Sequence, residues 1–303
     1  MIEIADIEAA ALTIAGLVRR TPLVPVDGTP YFAKCESLQA TGSFKLRGAS
    51  NAIAVLRPAG VVTDSSGNHG HALALAAQRA GIPCTVVMNV GASPYKRGFI
   101  EALGARVVEV VEGSQARADG VARVVEEEGL IYVPPYNHPL TMAGQGTVGL
   151  ELIEDAPDAA TVVVPLGGGG LISGVATAVK ARAPSVRVVG VEPEDGDDFV
   201  QSLAAGRIVA IDVPHTICDG ARTQSPGTLT FEVVKARVDE VINVTDAEAI
   251  EGMRILSAAG IVAEPTGALG LAGALRLGLA ESTVIVVSGR NIAPADYARY
   301  LTG

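Results

Sequence analysis

The stretch "GVVTDSSGNHGHALALAAQRAGIPCTVVM", residues 60–88, decides the fold. It begins with a short β-rich run, "GVVT", continues through an alanine-rich run typical of a helix, and ends in a second apolar run, "CTVVM". Gly81 and Pro83 follow the helical run, as expected where a helix ends. A strand, a helix and a strand in this order predict a βαβ unit, in which the two strands run parallel.

The same alternation of strand and helix patterns continues toward the C-terminus. It predicts an α/β protein with two parallel-sheet domains that carry helices on both faces. We expect residues 1–58 and 138–303 to form a large domain and residues 59–137 to form a small mobile domain. Ligands of such sheets bind beyond the C-terminal ends of the strands, where we therefore look for chemistry.

Composition limits the classes of partner. The chain has 303 residues, of which 49% are hydrophobic and 18% charged, and this balance is typical of a globular protein. A formal net charge of −10 argues against nucleic acids and anionic membranes as partners and leaves small molecules.

The compartment can also be predicted. The first residues, "MIEIADIEAA", do not resemble a signal peptide, and no apolar run reaches the roughly 18 residues of a membrane span. Three cysteines without C-x-x-C spacing suit a reducing compartment. We expect a cytoplasmic protein.

Polar residues stand between the first strand and helix of the opening stretch: Ser65, Ser66, Gly67, Asn68 and His69. They fit two interpretations. Serine and asparagine cap helix N-termini. The same groups can form a cradle for an anion such as a substrate carboxylate, at the positive end of the helix dipole.

Four consecutive glycines, Gly167 to Gly170, join a buried strand to a helix. Such a loop suits a phosphate, because its backbone approaches closely and presents N–H groups; the alternative is a flexible loop. No G-K-[S/T] follows, so it is not a P-loop, and Ser173 stands where a dinucleotide motif has its third glycine. Glu192, at the end of the next strand, keeps a nicotinamide-dependent oxidoreductase open as an alternative.

Lys45, in "TGSFKLRGAS" (41–50), lies among small and apolar neighbours. It is either a solvated lysine with its stem on apolar surface or a reactive amine with a lowered pKa. Ser288 ends a later strand and is either a turn residue or a ligand contact. A phosphate cradle, an amine that forms a Schiff base and a partner for a ring nitrogen together suit pyridoxal phosphate.

These stretches resemble the serine/threonine dehydratase and serine racemase family, which are pyridoxal-phosphate enzymes of the tryptophan-synthase-β-like fold (fold type II). The resemblance spans nearly the whole chain and rests on the order and spacing of many motifs. They are "TPLVPV", "KCESLQATGSFKLRGA", "SSGNHGHALALAA", "AGQGTVGLEL", "VPLGGGGLISG", "VEPEDGDD", "ICDGAR", "AEPTGALGLA" and "SGRNI".

The resemblance implies a role for each matching residue. Lys45 would form the Schiff base and Phe44 would pack beside the cofactor ring. Asn68 would bind the ring 3-hydroxyl, and Ser288 would bind the pyridine nitrogen. The phosphate would be bound by Gly167, Gly168, Gly169, Gly170 and Leu171. The substrate carboxylate would be bound by Ser65, Ser66, Asn68 and His69.

The resemblance further implies a homodimer and a divalent cation site in "EPEDGDD" (192–198). Glu192 and Asp198 would be side-chain ligands, and Gly196 would offer its carbonyl. Oxygen ligands suit Mg²⁺ or Ca²⁺, whereas the alternative is a solvated acidic loop.

The activity implied by the resemblance is β-elimination of L-serine or L-threonine, which releases ammonia and pyruvate or 2-oxobutanoate. Lys45 would be the catalytic base, and Ser66 would be the acid on the opposite face of Cα that serine racemase activity needs. Alternatives are a racemase, a 3-hydroxyaspartate dehydratase and an inactive ligand-binding relative. Two positions depart from the common pattern, namely Arg290 in place of glycine and His71 where racemases often have glutamine.

Overall fold

Two β-sheets organise the chain, and the computed structural model describes residues 1–65, 67–111, 113–280 and 282–303. The strands are β1 (Leu23–Pro25), β2 (Tyr31–Lys34), β3 (Val61–Thr63), β4 (Cys84–Asn89), β5 (Arg106–Val110), β6 (Ile131–Tyr132), β7 (Thr161–Pro165), β8 (Arg187–Pro193), β9 (Glu240–Val244) and β10 (Thr283–Val286). The helices are α1 (Ile4–Thr13), α2 (Lys45–Leu56), α3 (Asn68–Ala80), α4 (Pro94–Ala102), α5 (Ser114–Glu128), α6 (Pro139–Asp155), α7 (Gly170–Arg182), α8 (Asp198–Ala205), α9 (Thr228–Arg237), α10 (Asp246–Ala258), α11 (Pro265–Arg276) and α12 (Pro294–Thr302).

The larger sheet has the strand order β1-β2-β10-β7-β8-β9, and the smaller has the order β5-β4-β3-β6. All pairs are parallel except β1 with β2. The predicted α/β architecture is therefore confirmed, with one antiparallel edge strand that was not predicted. Residues 26–30 between β1 and β2 are too few for a parallel crossover, so the two strands form a hairpin.

The smaller sheet lies within residues 61–132, and strands from both sides of that segment build the larger sheet. The domain limits at 58/59 and 137/138 stay a prediction. The opening stretch forms the parallel pair β3 and β4 with α3 between them. Gly81 ends α3 in the left-handed region, with φ +68°.

Glycines allow α2, α6 and α7 to pack backbone against backbone. A Cβ added to Gly144 of α6 would lie 2.6 Å from the carbonyl oxygen of Arg47 in α2. A Cβ added to Gly174 of α7 would lie 2.5 Å from the backbone nitrogen of Gly146 in α6. Lys45 begins α2 and Gly170 begins α7, so this packing fixes the relative positions of the two helices that start at predicted site residues.

A buried ionic network holds α2 in place. The Nε atom of Arg47 donates to Glu36 at 2.8 Å, and its Nη1 atom donates to Glu151 of α6 at 2.6 Å. Arg47 and Glu36 are fully buried. Lys34, also fully buried, lies 2.9 Å from Glu151 and extends the network to β2.

Within the described ranges, no helix combines the length and the apolar character needed to cross a membrane.

We predict that Gly174→Ala lowers the free energy of unfolding by about 1–3 kcal/mol, because the added methyl group overpacks the contact of α6 with α7. Gly98→Ala is the matched control, since Gly98 lies in α4 with no heavy atom within 4 Å of an added Cβ. That change should be neutral or stabilising by up to about 1 kcal/mol, because alanine favours helix. Urea unfolding followed by circular dichroism measures both, and equal losses would contradict the packing described.

Candidate active site

Lys45 stands at the first position of α2, beside the C-terminal end of β10. The N–H of Phe44 donates to the carbonyl of Ser288 at 3.1 Å, and Ser43 forms an antiparallel bridge with Gly289. Ser288 is buried. Lys45 and its aromatic neighbour Phe44 are thus brought close to Ser288, the predicted ring-nitrogen partner, which lies more than 200 positions later in the chain.

The Lys45 amine points into the protein. Its Nζ atom donates to the carbonyl of Pro135 at 2.7 Å and lies 5.0 Å from the centroid of the Phe44 ring. Burial lowers the pKa of Lys45 to about 7, against the opposing effect of Asp64. The amine therefore suits a nucleophile or base better than a solvated charge.

The glycine loop between β7 and α7 is packed tightly. Gly169 caps α7 in the left-handed region, with φ +85°. A Cβ on Gly167 would lie 2.9 Å from Ala221 Cα, and one on Gly169 would lie 2.6 Å from the Phe199 ring. Side chains are thus excluded, and the loop presents backbone at a helix N-terminus, where N–H groups lack intrahelical acceptors.

Tyr136 was not predicted as a site residue, yet its ring lies directly over Gly168. The preceding carbonyl, from Pro135, accepts the Lys45 amine. Residues 135–136 therefore connect the lysine with the loop. Nearby, Gln145 Oε1 lies 2.6 Å from the place of a Gly170 Cβ, is buried and has no hydrogen-bond partner among the described residues.

The N-terminus of α3 meets the same region from the smaller sheet. Asn68 Nδ2 donates to Glu264 at 2.5 Å, and Asn68 Oδ1 accepts from Asn291 at 2.7 Å. The hydroxyl of Ser65 accepts the Gly67 N–H at 3.4 Å. Ser66 lies outside the described residues.

His69 is buried, and its Nε2 atom lies 3.0 Å from the carbonyl of Val133. Burial, with a contribution from the charge of Lys45, lowers the pKa of His69 to about 3. The ring is therefore neutral with its proton on Nε2, and Nδ1 is left as an acceptor. Since an acceptor cannot bind a carboxylate, His69 can contribute to the predicted carboxylate cradle only through its backbone N–H.

Glu192 and Asp198 are both fully buried. The Glu192 carboxylate accepts the N–H of Phe199 at 3.1 Å and of Val200 at 3.0 Å, and Asp198 accepts from Thr223 at 3.2 Å. Burial and the charge of Asp198 raise the pKa of Glu192, and burial raises the pKa of Asp198 to about 7. No Lys or Arg within the described part of the chain pairs with either carboxylate.

In the ranges that the structure describes, no group of three or more His, Cys, Asp or Glu side chains is arranged to hold a metal. Gly196 is buried in the short turn between Glu192 and Asp198, and Leu171 is buried in the first turn of α7.

The two residues that depart from the common pattern, His71 and Arg290, have different environments. The ring of His71 stacks on that of Phe99, with centroids 5.0 Å apart, and burial lowers the pKa of His71. Arg290 is exposed.

Comparison with known proteins decides the cofactor class. Residues 14–289 match the family described as pyridoxal-phosphate dependent enzyme. The chain belongs to this family. Membership of this family supports pyridoxal phosphate, rather than a nicotinamide cofactor, as the cofactor class.

Individual relatives cover nearly the whole chain. The L-threonine ammonia-lyase of Thermotoga maritima is 43% identical over 96% of this chain and 76% of its own. The L-threo-3-hydroxyaspartate ammonia-lyase of a Pseudomonas species is 40% identical over 98% of each chain. The structure of maize serine racemase superposes with a TM-score of 0.94, is 39% identical, and covers 98% of this chain and 96% of its own.

The residues present fit pyridoxal phosphate. The Lys45 amine has a lowered pKa, the Cβ positions of the glycine loop are filled by neighbours, and the Gln145 oxygen beside that loop has no hydrogen-bond partner among the described residues. Sequence patterns alone did not reveal Tyr136, Glu264 or Asn291 as part of it. The last two lie in quoted motifs, "AEPTGALGLA" and "SGRNI", whereas Tyr136 carries no recognisable signal.

We predict that covalent attachment of pyridoxal phosphate to the cofactor-free protein accelerates as the pH rises through about 7 and then levels off, because only the neutral Lys45 amine attacks a carbonyl. An ordinary lysine, with a pKa of about 10.4, would give a rate that keeps rising to about pH 10. Stopped-flow absorbance between about pH 6 and 10 makes the measurement. A rate still rising steeply above about pH 8.5 would contradict the lowered pKa of Lys45.

Proposed function

We propose that this protein catalyses β-elimination of L-serine or L-threonine, releasing ammonia and pyruvate or 2-oxobutanoate. The observation that carries the proposal is the placement of the Lys45 amine, with its pKa lowered to about 7, next to Phe44, residues 135–136 and the carboxyl end of β10. The similarity to an L-threonine ammonia-lyase over 96% of the chain supports the same reaction type.

Pyridoxal phosphate, when bound, withdraws electrons from the Cα of an attached amino acid and so acidifies the Cα–H bond. Lys45 is suited to take that proton at Nζ, because a base works best when its pKa lies near the working pH. The glycine loop would bind the phosphate through backbone N–H groups at the start of α7. Gly167, Gly168, Gly169, Gly170 and Leu171 would contribute.

Ser288 is the residue that we propose for the ring nitrogen. Its hydroxyl is neutral, unlike a carboxylate, and would leave the ring a weaker electron sink. A weaker sink favours prompt loss of the β-hydroxyl over reactions that need a long-lived carbanion.

The N-terminus of α3 is the proposed binding site of the substrate carboxylate. Asn68 and His69 begin the helix there, and backbone N–H groups at a helix N-terminus bind anions well. Ser65 borders the same turn, and Asn68 would also meet the ring 3-hydroxyl.

Serine racemisation is the second candidate activity. The maize racemase shares the fold with a TM-score of 0.94, and Ser66 holds the position that the resemblance assigns to the acid on the opposite face of Cα. A 3-hydroxyaspartate substrate is a third option, supported by the Pseudomonas relative.

We also propose a divalent cation at Glu192, Asp198 and the Gly196 carbonyl. The two carboxyls are buried, have raised pKa values and have no basic partner within the described residues, so a bound cation would stabilise their ionised forms. Oxygen ligands favour Mg²⁺ or Ca²⁺.

A cytoplasmic location suits the three free, buried cysteines, and the homodimer stays a prediction.

We expect purified protein loaded with pyridoxal phosphate to form a keto acid from L-serine, with D-serine formed in parallel. Lys45→Ala should lose both products, because it removes the base and the attachment point. Ser66→Ala should lose D-serine and keep most keto acid, since elimination needs no acid on the second face. Turnover by Lys45→Ala, or unchanged racemisation by Ser66→Ala, would contradict the assigned roles.

We predict that millimolar Mg²⁺ or Ca²⁺ raises the thermal unfolding midpoint, because a cation at 100 times its Kd stabilises by about 2.7 kcal/mol. Asp198→Asn should abolish the rise, and a chelator should reverse it. Asp195→Asn is the control, since Asp195 is exposed on the same loop. An equal rise in Asp198→Asn would place the cation elsewhere.

A further inference from the structure

Lys96 of α4 makes the ion pairs that join the two sheets. Its Nζ atom pairs with Asp219 and lies 3.5 Å from Glu264 Oε2. Among the described residues, no other salt bridge links the segment 61–132 to the rest of the chain. In the part of the chain that the structure describes, Lys96 therefore provides the ionic connection between the segment of the smaller sheet and the rest of the chain.

Glu264 connects Lys96 with the active site, because its carboxylate contacts both Lys96 and Asn68. One carboxylate oxygen, Oε2, faces Lys96, and the other, Oε1, accepts the side-chain amide of Asn68 at 2.5 Å. Asn291 donates to the other end of the Asn68 amide at 2.7 Å and to the carbonyl of Thr41 at 2.8 Å. The first residue of α3 is thus held on both sides by groups that belong to the larger sheet's part of the chain.

The charge of Lys96 favours the ionised form of Glu264, which accepts from Asn68. Glu264 is only 1% exposed, and burial raises its pKa to about 7 even though Lys96 opposes the rise. Burial alone would lower the pKa of Lys96, but Glu264 and Asp219 outweigh it and keep the pKa above its ordinary value. Without the cation, Glu264 would be a buried carboxylate with no compensating charge. It would either keep its charge at a large desolvation cost or take up a proton, which weakens its hydrogen bond to Asn68.

We infer that Lys96 is a positioning residue: through Glu264 it fixes Asn68 and the first turn of α3 against the carboxyl end of β10. Lys96 touches neither substrate nor cofactor in this scheme. Its effect on substrate affinity rests on the proposed function, which seats the substrate carboxylate at that turn. The effect of Lys96 on the order of α3 does not depend on the proposed function.

The test compares amide hydrogen exchange, by mass spectrometry, in the holoenzyme and its variants. Lys96→Met should accelerate exchange about tenfold in peptides covering 67–73, because α3 loses its anchor. Lys96→Arg, which keeps the charge, should stay within about threefold of wild type. Arg97→Met is the matched control in the same helix, since Arg97 pairs with Glu101 and Glu109 inside the segment 61–132, and it should leave these peptides unchanged.

A double variant separates the proposed role from general destabilisation. Lys96→Met combined with Glu264→Gln should recover most of the lost protection, because a neutral amide needs no cation and its oxygen can still accept from Asn68. Wild-type exchange in Lys96→Met, the same acceleration in Arg97→Met, or no recovery in the double variant would overturn the inference. If Lys96→Met does not fold, the double variant decides: protected α3 peptides support the inference, and misfolding or fast exchange overturns it.

A kinetic measurement connects the anchor with the reaction. Lys96→Met should raise KM for L-serine or L-threonine about tenfold and leave kcat within about threefold, because it loosens the carboxylate seat but not Lys45. A fall in kcat at unchanged KM would overturn the inference. If wild-type protein turns over neither substrate, the proposed function fails, and the exchange measurement still decides the role of Lys96.

Discussion

The ionic network around Arg47 is the constraint on which the site depends. It binds the segment after β2, through Glu36, to α6, through Glu151, and it does so two residues after Lys45. Burying such charges costs desolvation energy that their attraction only partly offsets, so the network contributes geometry more than stability. The hydrogen bonds of the guanidinium hold α2 against α6, and the Lys45 amine at the start of α2 donates to the carbonyl of Pro135.

Around that fixed lysine, the site is assembled from ends of elements. The carboxyl end of β10 supplies Ser288, the start of α7 supplies the glycine loop, and the start of α3 supplies Asn68. Helix N-termini carry unpaired N–H groups and partial positive charge, which suits a cofactor phosphate and a substrate carboxylate. Burial lowers the pKa of Lys45 to about 7, so a large fraction of the amine is neutral near that pH.

Local patterns predicted much of this. The βαβ alternation, Gly81 at the end of α3 and the glycine loop follow from short-range rules, and the structure places them as the sequence indicates. Two contacts between distant residues were not predicted: Glu264 meets Asn68 across 196 positions, and Tyr136 reaches Gly168 without any recognisable motif. The neutral state of His69 depends on burial, which no local pattern reports. The antiparallel orientation of β1 follows from its short connection to β2, but the pairing of β1 with β2 was not predicted from the sequence.

The most direct test is the visible absorption spectrum of the purified protein supplied with pyridoxal phosphate, recorded before and after adding L-serine and then L-threonine. We expect an absorption band from cofactor held on Lys45, absent in Lys45→Ala, that changes on addition of substrate while keto acid accumulates. A protein that shows no such band would contradict it, because Lys45 would then be a buried lysine with no cofactor to hold.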